Sequence, residues 1–248
     1  MKNIFSVALA TLAAAAIVCS CNKNEPNTIS EKSNVVNFQD KAWTNGEVAI
    51  FAIDPYKAIF LDAEEDAVVV AGIDYTNPDV TFTAQGETGK GTVSLDGMSL
   101  TLHADSSDVV CSRYVCDMDE LYFVTDTSDV VWYTEVDGTT YLAQFDGRNI
   151  VDFAKFDGTI DDYMDAWEEN EKGDCVFGSL APAEPIVSDG RVGSYTYKAP
   201  VGSITAYGNA YCAKYYFIVF DDCMAVINQD TLDLYWLDYL LREEEEDL

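Results

Sequence analysis

The chain has 248 residues and carries 44 acidic against 14 basic side chains, which gives a formal net charge of −30. A surface this acidic repels phosphate backbones and anionic lipid surfaces, which argues against nucleic acid as a partner. The 15 Tyr, 12 Phe and 4 Trp are too many for a disordered acidic chain. We therefore expect a globular protein.

The chain begins with an apolar run behind a single basic residue, Lys2. The run extends from Ile4 to Val18 and is broken only by one Ser and one Thr. It is shorter than the roughly 20 residues of a membrane-spanning helix, and it has the charge and length of a secretory signal. A buried core helix is the alternative, although no polar residues decorate one face. We therefore predict a signal peptide over residues 1–20.

The residues that end this run, Val18-Cys19-Ser20-Cys21, resemble the lipobox of bacterial lipoproteins. In a lipobox a small residue precedes the cysteine that takes the lipid, so Ser20 indicates Cys21 rather than Cys19. The resemblance implies that Cys21 becomes the mature N-terminus, with a diacylglycerol and an amide-linked acyl chain. Two or more chains hold a protein firmly to a membrane. The membrane is therefore an expected partner, bound through the lipid on Cys21.

Polar residues follow the lipobox. Asn22 stands where an Asp commonly retains lipoproteins in the inner membrane, so the resemblance implies the outer membrane, with either a periplasmic or a cell-surface orientation. The segment 21–34 has no apolar period and is predicted to be a flexible tether. Residues 35–248 are predicted to form a β-rich globular body.

The body is a series of short β-prone runs separated by turn residues. Asn-Gly at 45–46 and Asp-Gly at 96–97 and 137–138 favour the tight turns of hairpins. Strands are predicted at 47–53, 57–61, 67–73, 80–84, 92–95, 98–104, 109–115, 121–125, 130–136 and 139–145, and again at 194–199, 203–207, 211–220 and 223–228. A near-repeat, Asp105-Ser-Ser-Asp-Val-Val and Asp126-Thr-Ser-Asp-Val-Val, ends one run and begins the next. It does not continue, which argues against a solenoid.

Two of the turns predict a register. A two-residue loop at Asp96-Gly97 gives one apolar and one hydroxyl face, with Leu95 facing Met98, Val93 facing Leu100, Ser94 facing Ser99 and Thr92 facing Thr101. A loop at Asp137-Gly138 pairs Trp132 with Ala143, Val130 with Phe145, Tyr133 with Leu142 and Glu135 with Thr140. Both hairpins are internally consistent.

One helix interrupts the meander, over about 159–172. Thr159-Ile-Asp-Asp resembles a capping box with acids in the first turn. An apolar stripe follows at helical spacing, formed by Ile160, Tyr163, Met164 and Trp167. The segment 178–193, with two prolines, is predicted to be a loop or a subdomain boundary.

The last segment fits two interpretations. Leu232, Tyr235, Trp236, Tyr239 and Leu240 follow helical spacing, whereas alternate residues from 232 to 236 fit a strand. The length of the segment favours a C-terminal helix.

Beyond Cys21 the mature chain holds five cysteines: Cys111, Cys116, Cys175, Cys212 and Cys223. The expected compartment permits disulfides, but an odd count leaves at least one thiol unpaired. On one continuous strand Cys111 and Cys116 would face opposite sides, so a bond between them requires a bend. Buried free cysteines are an equally good interpretation, and the pairing stays open. The lack of a CxxC motif argues against structural zinc.

No catalytic residue is predicted. His103, the only histidine, falls on the polar face of its hairpin and is expected to face solvent. Without a GxSxG motif beside it, triad chemistry has no support. No cofactor is predicted. Calcium is the best of the weak site hypotheses, at Asp117-Met-Asp-Glu120 and the Asp-x-x-Asp turns 105–108 and 126–129, with solvated turn acids as the alternative.

Tyrosines are concentrated in the second half of the chain, at Tyr195, Tyr197, Tyr207, Tyr211, Tyr215 and Tyr216. Aromatic faces on exposed strands stack on sugars, but aromatic residues are also ordinary strand and core residues. The core interpretation is favoured.

The segment Gly91-Thr-Val-Ser-Leu-Asp-Gly-Met-Ser-Leu-Thr-Leu102 is similar to hairpins of lipocalin-like bacterial lipoproteins, in which such meanders close a barrel. The resemblance covers about a dozen residues and carries no ligand residues. The expected fold is mainly β, an antiparallel meander that forms a barrel or a sandwich.

The leading functional hypothesis is a non-enzymatic, lipid-anchored binding module for a small ligand, a glycan or a protein at the cell envelope. The alternatives are a carboxylate-dependent hydrolase, such as a glycosidase, and a structural envelope component. Two carboxyl groups about 5–9 Å apart would favour the hydrolase. An aromatic-lined cleft would favour a sugar, and a closed barrel with a dry cavity would favour a lipocalin-like carrier.

Overall fold

A computed structural model describes residues 38–76, 78–104, 107–116, 130–146, 149–171, 180, 182–186, 193–207 and 212–241. The chain divides into two compact units, Met1–Val115 and Cys116–Leu248. This division differs from the boundary predicted near 178–193. The predicted signal peptide and tether, with Cys21, lie outside the described residues.

The first unit is a closed antiparallel barrel in which each strand pairs with the next and β8 pairs with β1. Its strands are β1 (Lys41–Thr44), β2 (Val48–Asp54), β3 (Lys57–Asp62), β4 (Ala67–Thr76), β5 (Asp79–Ala84), β6 (Glu87–Val93), β7 (Ser99–His103) and β8 (Val109–Tyr114). Six of these match predicted strands, β6 overlaps the predicted strand 92–95 only at Thr92 and Val93, and β1 was not predicted. The short β1 completes the ring because it supplies hydrogen bonds to both β2 and β8, which leaves no open sheet edge.

The hairpin between β6 and β7 has the predicted register but not the predicted loop. Thr92 faces Thr101 and Val93 faces Leu100. The loop is longer than two residues, since the amide of Gly97 donates to the carbonyl of Ser94 (2.8 Å). The residues at the tip of this loop therefore lie outside the paired strands.

The predicted apolar contact at this tip is wrong for the same reason. Leu95 and Met98 are 83% and 56% exposed, rather than paired on the buried face.

A continuous set of large side chains fills the interior of the first barrel. Phe38, which precedes β1, contacts Trp43 at 5.2 Å and Tyr75 at 5.3 Å between ring centroids. Phe82 meets Phe60 edge-on at 5.1 Å. These rings lie in one buried cluster with the aliphatic residues of β2, β4 and β7, so this barrel has a solid core.

The second unit is also an antiparallel barrel. Its strands are β9 (Val130–Val136), β10 (Thr139–Asp146), β11 (Ile150–Asp157), β12 (Glu184–Pro185), β13 (Gly193–Lys198), β14 (Val201–Tyr207), β15 (Cys212–Val219), β16 (Met224–Asn228) and β17 (Leu234–Leu241). The sheet closes because β10 pairs with β11 as well as with β9. The short β12 and β13 pair with the same side of β11 at different heights. The predicted meander is confirmed, and of the two predicted architectures it forms barrels.

The hairpin at Asp137-Gly138 has the register predicted for it. Tyr133 faces Leu142, and Trp132 faces Ala143. Both turn residues have positive φ, 53° at Asp137 and 78° at Gly138, as a type I′ turn requires.

The predicted helix is confirmed as α1 (Ile160–Glu171). Thr159 caps it, because its hydroxyl accepts from the amide of Asp162 (3.2 Å) while the Asp162 carboxylate accepts from the amide of Thr159 (3.0 Å). The free amide of Ile160 donates to the Glu135 carboxylate (2.6 Å). The apolar stripe of α1 packs on β9, β10 and β11 through Tyr163 and Trp167, which buries the outer face of these strands.

The predicted C-terminal helix is wrong. Residues 234–241 form β17, which pairs with β16 on one side and with β9 on the other. A helix here would leave both neighbours with unpaired backbone groups, and closure of the sheet outweighs the helical spacing of the side chains.

Two further strands were missed, β11 entirely and β12 within the predicted loop 178–193. The predicted strand 121–125 lies outside the described residues. Within the described ranges, no helix is both long and apolar enough to span a bilayer.

Candidate functional site

The interior of the second barrel contains a cavity of about 400 Å³. Its lining comes from seven strands and the residue after β12: Thr134, Val136, Tyr141, Leu142, Ala143, Phe145, Phe153, Ile186, Ile204, Ala206, Tyr207, Tyr215, Val226, Tyr235 and Leu237. A volume of this size falls in the range of small-ligand sites, which is about 300–1,000 Å³. The cavity is therefore a candidate binding site.

The cavity lies towards one end of the barrel, which we call the open end. This end carries the turn between β9 and β10 and the loop between β16 and β17. Val136 is the last residue of β9, and Tyr235 lies at the start of β17. Alternation along each strand directs one set of side chains to the interior, which is why Tyr141, Ala143 and Phe145 of β10 all line the cavity.

Aromatic packing closes the opposite end. Phe145 contacts Tyr195 edge-on at 5.0 Å and Phe217 at 5.8 Å, and Tyr197 stacks on Phe217 at 5.7 Å between centroids. The hydroxyl of Tyr195 donates to the carbonyl of Asp146 (2.6 Å). Burial, and then the nearby Asp146, raises the pKa of Tyr195, so this hydroxyl stays protonated and holds its bond.

Gly202 allows this packing to form. A Cβ built at this position would lie 2.3 Å from the Phe217 ring and 2.4 Å from the carbonyl of Thr196. Only a residue without a side chain leaves room for the stacked rings of the closed end.

The rim of the open end is apolar and exposed. Val136, Tyr141, Ile186 and Tyr235 are 45%, 41%, 39% and 39% exposed. Large apolar side chains that surround a cavity and face water indicate an interaction site more strongly than the same residues scattered singly.

Ile186 reaches the rim because β12 pairs with β11. The amide of Ile186 donates to the carbonyl of Phe153 (3.0 Å), which fixes the chain beside the cavity. The neighbouring pair across these strands is charged, since Nζ of Lys155 lies 3.6 Å from Oε2 of Glu184. The side chains of Lys155 and Glu184 are 43% and 78% exposed.

The chemistry of the lining is restricted. Apart from the backbone, the polar groups of the described lining residues are the hydroxyls of Thr134 and of four tyrosines, and these residues include no Asp, Glu, Lys, Arg or His. The described lining thus lacks the two carboxyl groups that a glycosidase needs. The arrangement is suited to holding an apolar molecule with few hydrogen bonds.

The predicted tyrosine cluster divides between the two ends of the barrel. Tyr207 and Tyr215 line the cavity, whereas Tyr195 and Tyr197 pack at the closed end. Tyr216 is half-buried on the outer face, and Tyr211 lies outside the described residues. The core interpretation is therefore correct for only part of the cluster.

His103 faces solvent, as predicted. Its Nδ1 lies 3.2 Å from Oδ1 of Asp108, and its Nε2 lies 3.2 Å from the hydroxyl of Thr92. These side chains are on the exposed surface of the first barrel, and the hydroxyl beside His103 belongs to Thr92, a residue type that can act as a nucleophile.

The calcium candidates cannot be placed. Asp117-Met-Asp-Glu120 and the turn 126–129 lie outside the described residues, as do two residues of the turn 105–108. In the part of the chain that the structure describes, no group of three or more His, Cys, Asp or Glu side chains is arranged to hold a metal ion.

None of the described cysteines lines the cavity. Cys111 is a free thiol in the core of the first barrel, where burial raises its pKa to about 11. The predicted alternative of a bond from Cys111 to Cys116 is therefore not formed. Cys223 is a free thiol whose pKa is raised to about 12 by burial and then by Asp222. Cys212 is free and exposed, and Cys175 lies outside the described residues.

Sequence reasoning missed several rim residues. Tyr235 fell in the segment predicted to be helical, and Ile186 in a segment predicted to be a loop. Tyr141 was assigned to a strand, but alternation in one hairpin does not show which face a closed barrel will enclose.

No protein-family model matches the chain, and neither a curated protein nor a solved structure is significantly similar to it.

Proposed function

We propose that this protein is a lipid-anchored binding protein of the cell envelope that holds a small apolar ligand inside its second barrel. The observation that carries the proposal is the cavity of about 400 Å³ with an exposed apolar rim and no charged side chain among its described lining residues. Burial of apolar ligand surface supplies the binding free energy, at roughly 25 cal/mol per Å² before the entropic cost of association is subtracted.

The anchor and the location belong to the same proposal. The lipobox-like sequence before Cys21 supports lipidation there, and Asn22 supports transfer to the outer membrane. The acidic body does not favour contact with anionic lipid, so the lipid on Cys21 is the membrane attachment. The cavity would then be presented outside the cytoplasm, within diffusion reach of a membrane surface.

The lining argues against the other candidate functions for this cavity. Sugar recognition combines aromatic stacking with amide, carboxylate or guanidinium partners for the sugar hydroxyls. The described lining residues carry none of these amide, carboxylate or guanidinium groups. A hydrolase would need an acid and a base within reach of the bound molecule, most often His, Asp or Glu, and none of these is among the described lining residues.

Binding can be tested with the neutral fluorescent probe N-phenyl-1-naphthylamine and the full chain carrying Cys21→Ala. We expect saturable fluorescence enhancement. Ala206→Trp places a large ring in the cavity and should weaken binding by at least about tenfold, equivalent to about 1.4 kcal/mol. Ala206→Leu should produce an intermediate loss. The matched control is Val110→Trp, at an exposed position of the first barrel, which should bind like the parent chain.

Equal binding by the Ala206→Trp and Val110→Trp chains would place the probe elsewhere and would refute the cavity as the site. A melting curve for each variant separates loss of binding from loss of folding, and the Ala206→Leu chain provides the milder substitution if tryptophan disrupts the barrel.

The anchor is tested by fractionation of cells that express the parent chain or the Cys21→Ala chain. We expect the parent in the outer-membrane fraction and the variant outside it. A variant that still fractionates with membranes would contradict attachment through the lipid.

A further inference from the structure

None of the described lining residues carries a positive group with which to hold an anion. Their side-chain polar groups are hydroxyls. A carboxylate carried into such a space loses its hydration without gaining an ion pair, which is strongly unfavourable. Fatty acids and other apolar anions are therefore poor ligands for this site.

Two described cations lie near the open end, and neither alters this conclusion. Lys155 faces Tyr141 across the strand pair and shares its face of the sheet. Its ammonium group lies 3.6 Å from the Glu184 carboxylate, which offsets its charge. Lys214 precedes Tyr215 on β15, and alternation places it on the outer face of the barrel.

Acidic side chains surround the same end. Asp137 lies in the turn beside the rim residue Val136, and both Asp230 and Asp233 lie in the loop before Tyr235. These carboxylates add to a chain with a formal net charge of −30. Their field favours the approach of cations to the open end and disfavours anions, most strongly at low salt.

The tyrosines supply the short-range attraction. The face of an aromatic ring carries a negative potential and attracts an organic cation within about 6 Å of the ring centre, more strongly when the cation is desolvated. Tyr141, Tyr207, Tyr215 and Tyr235 all line the cavity towards its open end. A quaternary ammonium group is less strongly hydrated than a carboxylate and is attracted to these rings, whereas a carboxylate meets repulsion from them.

On this basis we propose that the cavity selects apolar organic cations, of the quaternary ammonium class, over neutral molecules of the same shape and over carboxylates. The inference rests on the proposed apolar-ligand function and names the class of ligand for that site.

The test uses three compounds of nearly equal shape: phenyltrimethylammonium, tert-butylbenzene and 2-methyl-2-phenylpropanoate. Each competes with N-phenyl-1-naphthylamine for the Cys21→Ala chain. We expect the cation to bind about tenfold more tightly than the neutral compound, as a partly desolvated cation–π contact allows, and the carboxylate to bind more weakly than both.

Tyr235→Leu keeps an apolar side chain but removes the ring, so it should weaken the cation severalfold more than the neutral compound. Tyr56→Leu, at an exposed position in the first barrel, is the control and should change neither. The quantity compared between the two variants is the ratio of cation affinity to neutral-compound affinity. This ratio does not depend on the absolute affinity of either ligand.

The outcomes separate the two proposals. If the neutral compound binds as tightly as the cation, or the carboxylate binds best, the charge selection is wrong and the apolar-ligand function stands. If the probe itself does not bind, both proposals fail. A preference for the cation that persists unchanged in Tyr235→Leu would also overturn the tyrosine-based explanation.

Discussion

The two barrels share a topology but differ in what fills them. In the first, the rings of Phe38, Phe60 and Phe82 meet near the centre of one buried cluster. In the second, the rings gather at the closed end, and the other end keeps a cavity. An antiparallel meander thus specifies the closed sheet, whereas the sizes of its inward-facing residues decide whether the interior is solid or hollow.

Residue size accounts for the hollow end. The positions that face the cavity include Thr134, Ala143 and Ala206, which are too small to meet across the barrel. The first barrel receives Phe38 from outside its strands, and this ring packs on Trp43 and Tyr75. The second barrel has no described residue in an equivalent role.

The largest expected effect is the loss of a ring from the solid core. Phe82 is almost fully buried between Phe60 and Phe38. Phe82→Ala should lower the free energy of unfolding by about 3–5 kcal/mol. The measurement is urea denaturation, read from the unfolding transition of the first unit. Tyr56→Ala, at a position 73% exposed, should change it by less than about 0.5 kcal/mol. A small effect of Phe82→Ala would mean that the first barrel is not solid.

A matched pair of substitutions compares the interiors directly. Ala71 is fully buried in the core of the first barrel, and Ala206 lines the cavity of the second. Ala71→Leu should destabilise the protein by about 1–3 kcal/mol because the core has no room. Ala206→Leu enters an existing cavity and should be neutral or stabilising, by up to about 1 kcal/mol. Thermal melts of both variants provide the measurement, and equal losses would contradict the hollow interior.

Much of the fold could be predicted from local signals. Turn chemistry and alternation located most strands, and the register at Asp137-Gly138 followed because a type I′ turn fixes which residues face each other. The helix was predicted because Thr159 and the stripe through Tyr163 and Trp167 act within one segment. These signals depend only on residues that are close together in the sequence.

The errors concern contacts that are distant in sequence. Residues 234–241 form a strand because β9 and β16 need a partner between them. Leu95 is exposed because its loop extends beyond the sheet, which alternation does not reveal. The cavity was not predictable in position, since its residues come from seven strands and their packing depends on the closure of the ring.

The helix is a further difference between the units, because among the described residues only the second barrel carries one. The Thr159 hydroxyl forms hydrogen bonds with Asp162 at the start of the helix. Thr159→Ala should lower stability by about 1 kcal/mol and should increase hydrogen exchange in the first turn of α1. Thr83→Ala, on an exposed strand position of the first barrel, should leave exchange in α1 unchanged. Unaltered exchange in the Thr159→Ala chain would show that the cap does not hold the helix.

The smallest expected effect is the pH dependence of this cap. The amide and hydroxyl of Thr159 both donate to the Asp162 carboxylate, and they lower the pKa of Asp162 below its ordinary value of 3.8. Because the folded-state pKa is lowered, this stabilisation is present above the ordinary pKa and is lost as the pH falls through the lowered value. Asp162→Asn should therefore be less stable than the parent at neutral pH, and the difference should narrow in acid.

Asp165→Asn is the control for this effect, since Asp165 is exposed on the same helix away from the cap. The difference in stability between the Asp165→Asn chain and the parent should not narrow in the same way as the pH falls. If melting curves showed the two variants with the same acid dependence, general charge on the helix rather than the cap would be responsible. The cap would then contribute nothing specific to holding α1 against the outer face of the hollow barrel.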